Sequence, residues 1–193
     1  MKTLKGARIG CAMTGSFCTF AEAFAAWREL AAAGADMYPI FSENAYTFDT
    51  RFYTANAARE EMEEICGKKI WHTIPQVEPV GPKGLLDLLI VAPCTGNTIG
   101  KLANAITDTS VTMAAKAQLR NSRPVLLAVA TNDGLAQSAK NIGVLMASRH
   151  IFFVPFQQDD PVGKPNSLIS CFDLLLESAE KALNGVKMER MFA

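Results

Sequence analysis

Apolar and polar positions alternate along this chain in two distinct rhythms. Runs of strand length are followed by segments whose apolar residues recur at helical spacing. Arg8–Met13 reads as a first strand, ending in Thr14-Gly15-Ser16. Phe20, Phe24, Trp27 and Ala31 then fall on one helical face. Thr19 and Glu22 have the spacing of a capping box, and Gly34 supplies a stop. Asp36–Phe41 is a second strand. Thr54–Cys66 is a helix with Ala58, Met62, Ile65 and Cys66 inward and four glutamates facing water, and Gly67 ends it.

Residues 70–84 hold three prolines and two glycines and read as an irregular connection. Leu86–Ala92 (LDLLIVA) is almost wholly apolar after its aspartate, as suits a central parallel strand covered on both faces. Helices are predicted over Asn97–Ile106 and Ser110–Leu119, and a strand over Val125–Ala130. A further helix is expected over Leu135–Ser148, with Leu135, Ile142 and Leu145 or Met146 inward. Ile151–Pro155 is the last strand and Ser167–Leu183 the last helix. Repeated strand–helix alternation implies right-handed βαβ units. The expected class is α/β, a three-layer α/β/α sandwich around a doubly wound parallel sheet of Rossmann or flavodoxin-like type, with residues 1–193 forming one domain.

Composition narrows the function. Nearly half of the 193 residues are apolar, enough for a substantial core. Lysine plus arginine and aspartate plus glutamate each total 19, and no basic stripe suggests nucleic acid as the partner. No apolar run approaches the roughly 20 residues of a membrane span. The N-terminus reads as a strand rather than a signal peptide. Five scattered cysteines without C-x-x-C spacing and only two histidines argue against a zinc site or a disulfide framework, and suggest reduced thiols in a cytoplasmic protein.

In such sheets ligands lie beyond the carboxyl ends of the strands. Three loops belong there: Thr14-Gly15-Ser16-Phe17, Pro93-Cys94-Thr95-Gly96-Asn97-Thr98, and Thr131-Asn132-Asp133-Gly134. Each leads into a helix N-terminus, where open N–H groups favour an anion. The first loop matches neither G-x-G-x-x-G nor a Walker sequence, so a single phosphate or mononucleotide suits it better than a pyrophosphate. In the central loop Pro93 is expected to stop the strand. Thr95, Asn97 and Thr98 offer more capping groups than one helix uses. Taken alone, a helix cap and a tight turn explain the first loop equally well, whereas the surplus of capping groups in the central loop points to a ligand as well.

GSF at 15–17, APCTGNTIGKLANAITDTSVT at 92–112 and VATN at 129–132 resemble the flavin-binding family of homo-oligomeric cysteine decarboxylases. That family includes phosphopantothenoylcysteine decarboxylase, lantibiotic decarboxylases and the prenylated-flavin synthase. Its P-A-S-A-N-T loop is matched by Pro93–Thr98, and its G-I-x-D-N-L-x-T segment loosely by Ala105–Thr112. The resemblance implies FMN, or FAD, held by Gly15, Ser16, Phe17, Ser42, Pro93, Cys94, Thr95, Asn97, Thr98, Thr131 and Asn132. It also implies trimers, or dodecamers built from them. By position Lys164 matches a residue that reaches phosphate from a neighbouring chain.

A narrower resemblance rests on IPQVEPVGPKGLLD (74–87) and GKPNSL (163–168). It implies one half of a two-component enzyme, working with a separate A subunit, which holds NAD(P), to oxidise a dihydrodipicolinate-level precursor to dipicolinate in sporulating cells. Two departures matter. The family's catalytic His-Ile-Glu-Leu reads Gln76-Val77-Glu78-Pro79 here, and an amide shuttles no proton near neutral pH. The Pro-Ala-Met-Asn clasp reads Val129-Ala130-Thr131-Asn132. Flavin-dependent decarboxylation, prenyl-flavin-type transfer, and a non-catalytic scaffold with a vestigial site therefore stay open as alternatives, with His72 a possible stand-in for the missing histidine.

Overall fold

The computed structural model describes residues 1–192. Five strands run parallel: β1 (Arg8–Met13), β2 (Asp36–Phe41), β3 (Leu88–Cys94), β4 (Val125–Thr131) and β5 (Ile151–Phe153). Two short strands, β6 (Phe156–Gln157) and β7 (Leu168–Ser170), pair antiparallel, and β7 docks antiparallel on the last residues of β4. The order is β2-β1-β3-β4-β7-β6, with β5 beside the first half of β4. The sheet is thus mixed rather than wholly parallel, while its five-strand body is doubly wound.

Helices cover both faces. α1 (Phe20–Ala32), α3 (Ala55–Cys66) and α8 (Leu175–Leu183) enclose one core around Trp27, Phe20, Phe24 and Met62. On the other face α4 (Ile74–Val77), α5 (Gly96–Ala103), α6 (Ser110–Leu119) and α7 (Ala139–Met146) pack on Leu89, Val91, Leu127 and Val129. Every residue of β3 is buried, which explains its unbroken apolar run. Among the described residues no helix is long and apolar enough to cross a membrane.

Several expectations need correction. Thr19 precedes α1 but makes no side-chain cap. Its hydroxyl donates to the Ser16 carbonyl within a short 3-10 turn over Phe17–Thr19. Pro93 does not stop its strand: β3 continues to Cys94, with a register shift against β4 between Val91 and Cys94. Leu135 does not point inward. It is 46% exposed, on a turn-rich stretch that delays α7 until Ala139. The expected helix over Ser167–Leu183 splits, because residues 168–170 pair with β4 and β6 and only Leu175–Leu183 is α-helical. A short helix, α2 (Glu43–Thr47), was not visible in the apolar pattern. The connection at 70–84 contains α4 and a bridge from Trp71 to Ile40.

Candidate functional site

β2 and β3 flank β1, so the chain reverses its winding direction at the β1/β3 pair, and the crevice beyond their carboxyl ends is the expected ligand position. One polar side chain stitches the two loops there. The buried Thr14 hydroxyl donates to the Pro93 carbonyl at 2.8 Å and accepts from the Thr95 N–H at 3.0 Å. The Thr14 N–H also donates to Pro93 O.

A cleft of about 390 Å³ opens at this edge. Gly15, Ser16 and Phe17 line one side, Thr95 and Gly96 the floor, and Ala130, Thr131 and Asn132 the other side. Thr50 and Phe52 close it from the segment before α3, and Asp159, Lys164 and Ser167 from the segment before β7. Among the described residues, the N–H groups of Gly15, Phe17 and Gly96 donate to no protein acceptor. Gly96 and Asn97 begin α5, whose dipole adds partial positive charge. Lys164 is the cation of the rim. It donates to Asp159 at 2.8 Å, which raises its own pKa and, with Ser167, holds the Asp159 carboxyl low.

Close packing fixes the floor. A Cβ on Gly96 would lie 2.5 Å from Thr131 Oγ1 and 2.9 Å from both Asp133 Oδ1 and Ser138 Oγ. Those oxygens already form a network: Thr131 donates to Asp133 at 2.5 Å and Ser138 donates to the same carboxylate oxygen at 2.9 Å. The start of α5 therefore sits against the β4 loop only because residue 96 has no side chain.

Six of the eleven sequence-selected residues share this cleft: Gly15, Ser16, Phe17, Thr95, Thr131 and Asn132. The other five do not line it. Asn97 faces an adjoining hollow of about 560 Å³ that shares Gly96 and Thr131 with the first. Thr98 is buried, and its hydroxyl and N–H are both satisfied by Thr95 in the α5 cap. Ser42 caps α2, accepting from the Ala45 N–H at 3.3 Å. Pro93 and Cys94 lie within β3, and burial pushes the Cys94 thiol well above its ordinary range, so it packs as a neutral apolar group.

Gln76 also has a local task. Its Oε1 accepts from the N–H groups of His72 and Thr73 and from the Thr73 hydroxyl, closing a capping box at α4. His72 stacks on Tyr46 with ring centroids 3.7 Å apart and lines a separate hollow. Sequence reasoning placed Thr14 in the first loop without selecting it as a site residue, and it passed over Thr50, Phe52 and Cys18. Thr14 carried a signal, as a polar residue at the end of an apolar strand. Thr50 and Phe52 carried none, since they reach the cleft through tertiary folding.

A doubly wound sheet with an amide-lined cleft at its switch point defines an α/β protein of the class whose ligands lie beyond the carboxyl ends of the strands. The chain belongs to the Flavoprotein family, whose model matches residues 1–180. It is 45% identical over 183 residues to the B subunit of dipicolinate synthase from Bacillus subtilis (strain 168), spanning 95% of this chain and 92% of that protein. The crystal structure of the corresponding B subunit from Bacillus halodurans superposes with a TM-score of 0.91 at 38% identity, covering 100% of this chain and 98% of that one. An FMN-dependent cysteine decarboxylase, SpaF, shares the fold, with a TM-score of 0.68 at 14% identity over 93% of this chain and 98% of that one.

Proposed function

We propose that this chain is the flavin-binding half of a two-component dipicolinate synthase, holding FMN at the β1/β3 edge. The observation that carries the reading is similarity to the B subunit of dipicolinate synthase along nearly the whole chain. The donor set of the cleft fits the group. Unpartnered amides of Gly15, Phe17 and Gly96 suit a phosphate, and Phe17, Phe52, Leu168 and Ile169 supply apolar walls for a flat ring. When bound, FMN supplies two-electron redox chemistry. The residues of this chain then anchor the phosphate on backbone N–H groups, hold the ring against apolar side chains, and present the Thr131 and Asn132 edge to a substrate.

In this reading the partner is the A subunit of dipicolinate synthase, which carries NAD(P) as the final hydride acceptor. The complex oxidises a dihydrodipicolinate-level precursor. Decarboxylation has less support, because Gln76, at the position of the family's histidine, is occupied in capping α4. The test is reconstitution with the partner protein, following dipicolinate formation and NAD(P) reduction with and without FMN. Full activity without flavin, or with this chain omitted, overturns the proposal.

A further inference from the structure

A second cavity lies between α5 and α6 and shares no residue with the cleft. It encloses about 250 Å³, below the usual range for drug-sized ligands, so it suits a single ring or a short branched chain. Leu102, Ile106 and Leu119 give it apolar walls. Ile106 is 45% exposed.

The charged residues that line it have one sign. Lys116 lies on α6 and Arg120 is its C-cap residue, and among the described residues neither has a carboxylate partner. The neighbouring carboxylate, Asp108, is already held by Lys101 at 2.8 and 2.9 Å. The Arg120 guanidinium is not free to wander, since it packs on Gly81, where an added Cβ would lie 2.5 Å from Nη2. Thr107 lines the same cavity and its hydroxyl donates to no protein group among the described residues. Two unpaired cations and a free hydroxyl over an apolar hollow match one ligand chemistry: a carboxylate borne on a small apolar body.

We propose that this cavity is a binding site for such a carboxylate, with the apolar part between Leu102, Ile106 and Leu119 and the anion at Lys116 and Arg120. The inference is independent of the flavin reading, because none of its residues lines the flavin cleft.

The test is a titration of the full-length protein, labelled at Ile, Leu and Val methyl groups, followed by NMR. Benzoate is the probe and benzamide its uncharged counterpart. Benzoate should shift the methyls of Leu102, Ile106 and Leu119 saturably, and bind at least about threefold more tightly than benzamide, the range expected for exposed charge pairs. Lys116→Gln and Arg120→Gln should each weaken benzoate by roughly two- to fivefold and leave benzamide unchanged. Lys116 is exposed on α6 while the Arg120 guanidinium packs on Gly81, so a thermal melt of each variant checks that it is folded before the titration. Equal binding of the two probes overturns the proposal. So do shifts confined to Leu168 and Ile169 in the cleft, or a cavity whose methyls never respond because a second copy covers it.

Discussion

Gly96→Ala tests the packing of the site floor. The added Cβ would sit 2.5 Å from Thr131 Oγ1 and 2.9 Å from Asp133 Oδ1 and Ser138 Oγ. Even weak carbon–oxygen contacts keep about 3.3 Å, so all three approaches are too close. The oxygens cannot withdraw freely, because they are hydrogen-bonded to one another. Either that network breaks or the start of α5 shifts outward. Overpacking of this kind costs about 1–3 kcal/mol, offset by at most about 1 kcal/mol of helix propensity. The net loss of about 1–2 kcal/mol should lower Tm by roughly 3–6 °C for a chain of this size. Calorimetry on the purified variant measures it. Fluorescence titration with FMN should show affinity reduced about tenfold or more, because the Gly96 N–H moves with the helix. An unchanged or raised Tm would refute the reasoning.

Gly143→Ala is the same substitution with the opposite expected sign. It lies inside α7 with no heavy atom within 4 Å of the new Cβ, so thermal denaturation should show a gain of about 0.8 kcal/mol. Ala105→Gly should also stabilise. Ala105 holds φ +57° just after α5, where Ile106 N–H donates to Lys101 O and Ala105 N–H to Leu102 O, a Schellman arrangement that favours glycine. Relief of left-handed strain, less the entropy glycine adds to the unfolded chain, leaves about 0.5–1 kcal/mol, readable by urea titration. Asp87 accepts from Arg8 at two side-chain nitrogens and the backbone N–H, which lowers its carboxyl pKa in the folded state, with Arg8 the largest cause. A depressed folded pKa contributes stability above the unfolded value near 3.8, lost as pH falls through the folded value. Asp87→Asn should therefore cost about 1 kcal/mol at pH 7, after discounting for solvent screening of the partly exposed pair. The gap should close in denaturation series run below pH 4.

The fold was legible wherever one strong pattern ran unopposed. β3 and β4 announce themselves by unbroken apolar runs because both faces are buried. α6 begins and ends where its periodicity does, at Ser110 and Leu119. The final third was harder. Residues 167–174 look helical by composition, yet Ala130 and Thr131 leave an open strand edge that recruits Ile169 and Leu168, and local propensity yields to that pairing. Likewise Leu135 fits a helical stripe, but Asp133 draws the N–H groups of Ala136 and Ser138 into turns, delaying α7.

The site was legible in its strand-end loops, since a parallel sheet sends all such loops to one edge. Gly15 and Asn132 line one cleft for that reason. Side-chain direction was not legible. Thr98 and Asn97 are adjacent in sequence, but one turns in to the α5 cap and the other out to a neighbouring hollow. The closing residues Phe52 and Asp159 come from distant segments, and no local motif points to them.

The most direct measurement is of what the folded protein carries. Purified chain, dialysed and then denatured, should release FMN in amounts approaching one per chain, and apo-protein should quench flavin fluorescence on titration. Release of no flavin together with no quenching up to near-millimolar FMN would contradict the assignment of the cleft.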